Sequence, residues 1–290
     1  MAEFSLAHLT VLGCAPPEMT YIAARAGYDF ISPRLIMIGV SGEADHNYDL
    51  ATNPGMLRQT KRALAETGLK VHDIELARIR DDLDVKTFVP AMEVAAELGA
   101  KHVISSVWTS NETLAIERFI DLCERAKPLG LTVNLEFVTW ANVVNLQQTI
   151  AFLDKAKCDN TGILVDILHF SRSRVSLNEL DEVPPESFNF VHLCDGPAEI
   201  PATKDELIRA GRDERLYVGE GQIDIAGILH RIPEVPYSIE LPHIARVKEL
   251  GYAEHARRCI ESAKAHLAKH PRSGGNAAKR HAQTPSMTTK

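Results

Sequence analysis

Four times in the first 135 residues an amphipathic stretch closes on a glycine, and an apolar run begins one or two positions later: AARAGYDFI, LAETGLKVHDI, AAELGAKHVI and AKPLGLTVNL. Glycine accepts the left-handed backbone that ends a helix and turns the chain back. Each joint therefore reads as a helix delivering the chain into a strand. Apolar runs and longer amphipathic stretches alternate over the first 270 residues. That is the rhythm of repeated βα units.

The apolar runs predict strands over Ser5–Leu12, Tyr28–Ser32, Lys70–Glu75, His102–Ser106, Thr132–Glu136, Gly162–Asp166, Phe188–Leu193 and Pro236–Glu240. Helices are expected over Pro17–Ala26, Pro54–Thr67, Val85–Leu98, Asn111–Leu129, Asn142–Lys155 and Tyr252–Lys269. Eight strands make an α/β fold of the (β/α)8, or TIM-barrel, type, and 290 residues suit its usual size of about 250. An open doubly wound sheet is the alternative, but it does not gather four strand ends around one point. The barrel is expected as a single domain over residues 1–270. The polar segment between His192 and Pro236 is expected to form a long loop over the open end, with a short helix near Lys204–Ala210. Residues 271–290, PRSGGNAAKRHAQTPSMTTK, have almost nothing to bury and are expected to be a disordered tail.

Strand ends are where such a barrel places its chemistry. The runs LTVNLE, GILVD, FNFVH and YSIE deliver Glu136, Asp166, His192 and Glu240 as they end. These are 30, 26 and 48 residues apart, so only the fold can assemble them. Three carboxylates and an imidazole suit one divalent cation, Mn²⁺, Mg²⁺, Co²⁺ or Zn²⁺. Taken singly, each residue has a plainer reading. Glu136 or Asp166 could cap a following helix, and His192 inside an apolar run could be structural. His169, three residues after Asp166, is a candidate hydrogen-bond donor or acid–base group. Arg34 could hold a substrate anion or form a surface ion pair, and His8 and Glu75 could line the pocket. Arg172 and Arg174, then Lys204 and Arg215, are candidate contacts for a carboxylate or phosphate. The GEG turn before Gln222 lacks the residues of a phosphate cradle.

Net charge of −7 disfavours a nucleic-acid partner, which needs a concentrated basic face. The five cysteines are odd in number and lack CxxC spacing, so they read as reduced thiols. With no secretory signal and no long apolar span, the expected location is the cytoplasm, with no membrane partner.

From about Ser5 to Leu267 the chain resembles the sugar phosphate isomerase/epimerase superfamily, the xylose isomerase-like TIM barrels. The matching pieces are LAHLTVLGC, NLEF, GILVDILHFSRS, FVHLCDGP, VGEGQIDIAGIL and YSIELP. The resemblance implies Glu136, Asp166, His192 and Glu240 as the metal set and His169 as a substrate-side residue. It implies Arg172 and Arg215 as substrate contacts. Relatives often have SG where this chain has Ser173-Arg174, and the three-zinc repair enzymes of the superfamily use a richer ligand set than is assignable here. The expected activity is isomerisation or epimerisation of a keto-sugar, keto-polyol or related α-hydroxy-ketone through an enediolate, within carbohydrate metabolism, with Glu136 and Glu240 handling the proton. The alternative is a dehydratase of a cyclic keto-acid or inosose, of the 3-dehydroshikimate dehydratase type, with His169 as the acid. A non-catalytic binding barrel is a third reading. A homo-oligomer is expected by analogy with such enzymes.

Overall fold

The computed structural model describes residues 2–39, 43 and 48–272. Its strands are β1 (Phe4–Ala7), β2 (Phe30–Ser32), β3 (Lys70–Val71), β4 (Asp73–Ile79), β5 (His102–Val107), β6 (Thr132–Glu136), β7 (Thr161–Asp166), β8 (Phe188–Leu193) and β9 (Tyr237–Ile239). All pairings are parallel, in the order β3-β2-β1-β9-β8-β7-β6-β5-β4. β3 and β4 are two halves of one barrel strand, interrupted at His72. β2 pairs with the first half and reaches the second through an Arg34–Glu75 bridge. The ring is thereby nearly closed, a TIM barrel.

The helices are α1 (Pro16–Ala26), α2 (Pro54–Thr67), α3 (Val89–Glu97), α4 (Glu112–Ala126), α5 (Leu146–Ala156), α6 (Ile167–Arg172), α7 (Lys204–Arg212), α8 (Ile225–Leu229) and α9 (Ile244–Lys269). All four joint glycines, Gly27, Gly68, Gly99 and Gly130, have positive φ, as a chain reversal from helix to strand requires. Asn53, Asn111 and Asn145 cap α2, α4 and α5 by accepting from backbone N–H groups three residues on.

Several boundaries differ from the sequence reading. The first strand stops at Ala7, and His8–Val11 form a 3-10 turn. α5 starts at Leu146 and not at Asn142, because Asn145 is the residue with the capping geometry. The last helix begins at Ile244 and bends at Gly251, whose φ of 73° is non-helical. The segment after β8 is only partly a polar loop. It holds α7 as expected, but Tyr217, Val218, Ile225, Ile228 and Leu229 are buried in the core. Asp195 organises its GEG turn by accepting from the N–H groups of Gly219, Gly221 and Gly196 at 2.8–3.0 Å. Arg272, inside the predicted tail, donates to Pro233 O and Tyr237 Oη. Residues 273–290 of that tail lie outside the described residues.

One large core fills the space between the sheet and its helices. A separate layer, Leu76, Ile104, Leu164 and Phe190, plugs the barrel interior. Leu164 and Phe190 precede Asp166 and His192 by two residues. The two-residue period of a strand puts each pair on the same, inward face. The plug is thus the floor on which the polar strand ends stand.

Candidate metal centre

β6 and β7 end on Glu136 and Asp166, β8 carries His192 one residue before its end, and Glu240 directly follows β9. Asp166 and His192 are paired in register. One ligand-type atom from each of the four lies within 4.8 Å of the others. All four residues are buried, at 6%, 0%, 1% and 5% exposure in chain order. His192 Nδ1 is 3.6 Å from Glu136 Oε1, 3.7 Å from Asp166 Oδ2 and 3.4 Å from Glu240 Oε2, central to all three carboxylates. Yet, among the described residues, neither ring nitrogen of His192 finds a hydrogen-bond partner. A buried imidazole left without a hydrogen bond among three converging carboxylates is a costly arrangement. A cation meets that need for positive charge, and the donors are of the hard or borderline kind that divalent ions take. The residues present fit a metal.

Asp166 reconciles its two readings. Its Oδ1 caps α6 by accepting from His169 N at 2.9 Å, while its Oδ2 faces the cluster. Glu136 caps nothing, since Asn145 caps the next long helix.

Arg215 is the cluster's fixed counter-charge. Its Nη1 reaches Asp166 Oδ2 at 2.6 Å and its Nη2 reaches Glu240 Oε2 at 2.9 Å. Gly211 O accepts from its Nε and Glu240 O from its Nη1. Burial penalises both carboxylates, but Arg215 outweighs it at Asp166, which is held well below the usual range. His192 and Arg215 do the same at Glu240, drawn down to about 2. Glu136 lacks an arginine. Burial, then the nearby Glu240 charge, push it up to about 7 despite His192.

His169 stacks edge-on against Trp140, with ring centroids 4.7 Å apart. Its Nδ1 faces Thr139 N and Oγ1 at 3.4 and 3.2 Å. Burial pushes it down to about 4, so the ring is neutral near pH 7. With Nδ1 accepting from the Thr139 N–H, the ring proton sits on Nε2.

Arg34, expected as an anion holder or a surface ion pair, is neither exposed nor unmatched. It is 2% exposed and pairs with Glu43 at 2.7 Å and Glu75 at 3.0 Å. Glu75 lies within β4, its carboxyl raised to about 7 by burial against the pull of Arg34. His8 supports this corner, accepting from Arg34 N through Nδ1 and facing Cys14 O with Nε2.

A cleft lined by Glu136, Glu240, His169, Arg215, Arg34 and Glu75 opens above the cluster. Arg172 is not among them. It lines a neighbouring cleft with Asp195 and Glu199. Arg174 is exposed, and Lys204 opens α7 at the surface. Arg78, Trp108, Trp140 and Arg212 are among the lining residues that the sequence did not single out.

The family described as xylose isomerase-like TIM barrel matches residues 21–263. The chain belongs to that family. It is 25% identical over 247 residues to a 3-dehydroshikimate dehydratase of Pseudomonas putida, covering 80% of this chain but only 36% of that protein. It is 23% identical over 191 residues to the inosose isomerase of Bacillus subtilis, covering 62% of this chain and 66% of the relative. An L-ribulose 3-epimerase of Mesorhizobium japonicum is 24% identical over 249 residues, covering 83% and 70%. The chain therefore spans about a third of the dehydratase and just under two thirds of the inosose isomerase. Among solved structures, the IOLI protein with a zinc atom superposes with a TM-score of 0.77 at 18% identity, covering 92% of this chain and 99% of that one. At that identity the likeness is one of fold. The curated relatives are enzymes of isomerase, epimerase and dehydratase type. Among the described residues, no helix is long and apolar enough to cross a membrane.

Proposed function

We propose that this chain is a divalent-metal-dependent isomerase or epimerase of a keto-sugar, keto-polyol or related α-hydroxy-ketone, working as a cytoplasmic enzyme of carbohydrate metabolism. The observation that carries the reading is the buried convergence of Glu136, Asp166, His192 and Glu240 at the open end of the barrel. Those four would hold the ion. When bound, the ion polarises a carbonyl oxygen and so acidifies the neighbouring C–H.

The chain's own residues supply the rest. β7 and β8 separate β6 from β9, so Glu136 and Glu240 flank the cavity from different sides. One removes the proton from the carbon next to the carbonyl, and the other returns a proton on the far side or at the neighbouring carbon. His169 directs its Nε2–H at the substrate. Arg215 fixes Asp166 and Glu240 in place and offers the same cavity a guanidinium. The floor of Leu76, Ile104, Leu164 and Phe190 keeps water from below.

A dehydratase of a cyclic keto-acid is the second reading, favoured by the arginines that line the cavity. It shares the proton-abstraction step, then expels a β-oxygen protonated by His169. The deciding test is NMR in D₂O across keto-sugars and keto-acids. The proposal expects deuterium at the carbon next to the carbonyl, with exchange slowed about 100-fold or more in Glu136→Gln or Glu240→Gln. Loss of water from the substrate selects the dehydratase. No exchange and no elimination with any substrate, in metal-loaded protein, removes both readings and leaves a binding barrel.

A further inference from the structure

Two cations at the cavity mouth are not accounted for by proton transfer. Arg78 lies on β4, three residues after Glu75, and Arg212 ends α7. Both line the same cavity as Glu136 and Glu240. Each guanidinium rests on a tryptophan face, Arg78 at 4.3 Å from the Trp108 ring centre and Arg212 at 5.8 Å from that of Trp140. Trp108 is itself held by donating to Ser106 Oγ at 2.8 Å.

Neither arginine forms a salt bridge with a carboxylate among the described residues, unlike Arg34 and Arg215 deeper in the same cavity. Burial, then the like charges of Arg212 and Arg34, lower Arg78 to about 10 against the pull of Glu43. Burial, then Arg34, lower Arg212 against the pull of Asp213 and Glu43. Buried polar atoms around the cavity also lack partners: Arg78 Nε, Arg34 Nε, Glu75 Oε1 and Trp140 Nε1. Arg78 Nη1 donates to Ile38 O at 3.4 Å, and its Nε is left without a hydrogen bond. Two half-buried cations that line one space with no carboxylate salt bridge are suited to receive an anion.

We infer that the substrate carries an anionic group, a carboxylate or a phosphate, remote from the reacting carbon, and that Arg78 and Arg212 bind it. This rests on the metal-site reading only for which end of the substrate reacts. The stacked tryptophans hold both guanidiniums in one orientation, so little freedom is lost on binding. An uncharged sugar would bring no counter-charge to the two guanidiniums, and would be selected against.

The chain has two tryptophans, and both line this cavity, so their emission reports its occupancy directly. Purified protein of measured metal content is titrated with four probes: quinate, fructose 6-phosphate, myo-inositol and fructose. The inference expects quinate or fructose 6-phosphate to bind at least tenfold tighter than its uncharged counterpart, and the better of the two identifies carboxylate or phosphate. Arg78→Gln and Arg212→Gln should each weaken that binding about tenfold or more, with wild-type metal content and melting temperature. Arg78→Lys should recover part of the loss. Equal affinity for charged and uncharged probes overturns the inference. So does anion binding unchanged in both Gln variants, which would place the anion on other groups of the cavity. If a Gln variant fails to fold, the Lys variant and the salt dependence of wild-type binding carry the test. Metal content is read separately, so failure of the metal-site reading shows as metal-free wild type and is not confused with failure of the anion site.

Discussion

At the scale of residues, the site is a balance of buried charges, and Arg215 is the member whose removal is most informative. Replacing it by Leu leaves Asp166 and Glu240 without their closest cation. Breaking a buried pair from one side costs about 3–5 kcal/mol. Urea unfolding of Arg215→Leu in a chelating buffer should show a loss of that order, partly restored by added Mn²⁺. A cost below about 1 kcal/mol, unaffected by metal, would mean the carboxylates are not held as described. Gly211 makes a sharper geometric claim. A Cβ there would sit 2.4 Å from Trp140 Cη2, so Gly211→Ala must displace the indole. The expected result is about 1–3 kcal/mol of destabilisation with a shift in tryptophan emission; unchanged emission would show that the wall of the cavity is looser than this packing. The four ligand-type residues were legible in the sequence because a barrel gives strand ends a common destination. Arg78, Trp108 and Arg212 were not, since an arginine inside DIELARI or beside a predicted loop looks like any solvated charge. Only folding shows that they converge. Arg172, whose motif suggested a substrate contact, ends α6 and lines the next cleft, which shares Arg215 with the cavity above the cluster.

At the scale of elements, legibility followed how local the determinants are. β6 and β8 lie where Thr132–Glu136 and Phe188–Leu193 place them, and α2 runs from Pro54 to Thr67 as read. Each has a turn or cap written next to it in the chain. The interruption at His72 had no such signal. It depends on a buried network in which Asp73 Oδ1 meets His72 Nδ1 at 2.8 Å and accepts from Ser32 Oγ at 2.6 Å. α6 was missed because its cap, Asp166, is also a strand end and a ligand candidate. The joint glycines allow a clean test. A Cβ at Gly68 meets nothing within 4 Å, so Gly68→Ala probes only its φ of 73°. A loss of about 1 kcal/mol is expected in urea unfolding. A neutral or stabilising effect would show that the helix-to-strand turn does not need the left-handed conformation.

At the scale of the whole molecule, α9 fastens the last strand to the barrel through His255. Its Nε2–H donates to Leu241 O at 3.0 Å, and its Nδ1 accepts from Tyr217 Oη at 3.0 Å. Burial lowers this histidine from 6.5 to about 4. The folded state therefore binds fewer protons than the unfolded chain between those values. Its contribution is present above about pH 6.5 and is lost as pH falls toward 4. The stability gap between wild type and His255→Gln should thus narrow over that window, by on the order of 2–3 kcal/mol. A gap that is flat with pH would mean the imidazole is not held neutral.

The proposed chemistry depends on one cation binding among four side chains from four strands. The measurement is the metal content of the purified protein by elemental analysis, alongside Glu240→Gln and Asp166→Asn. The expected result is about one equivalent of Mn, Co, Zn or Mg per chain, with a clear loss in both variants and no loss of fold. Wild-type protein that stays folded and takes up no divalent ion under any loading condition would contradict the site, and with it the chemistry built on it.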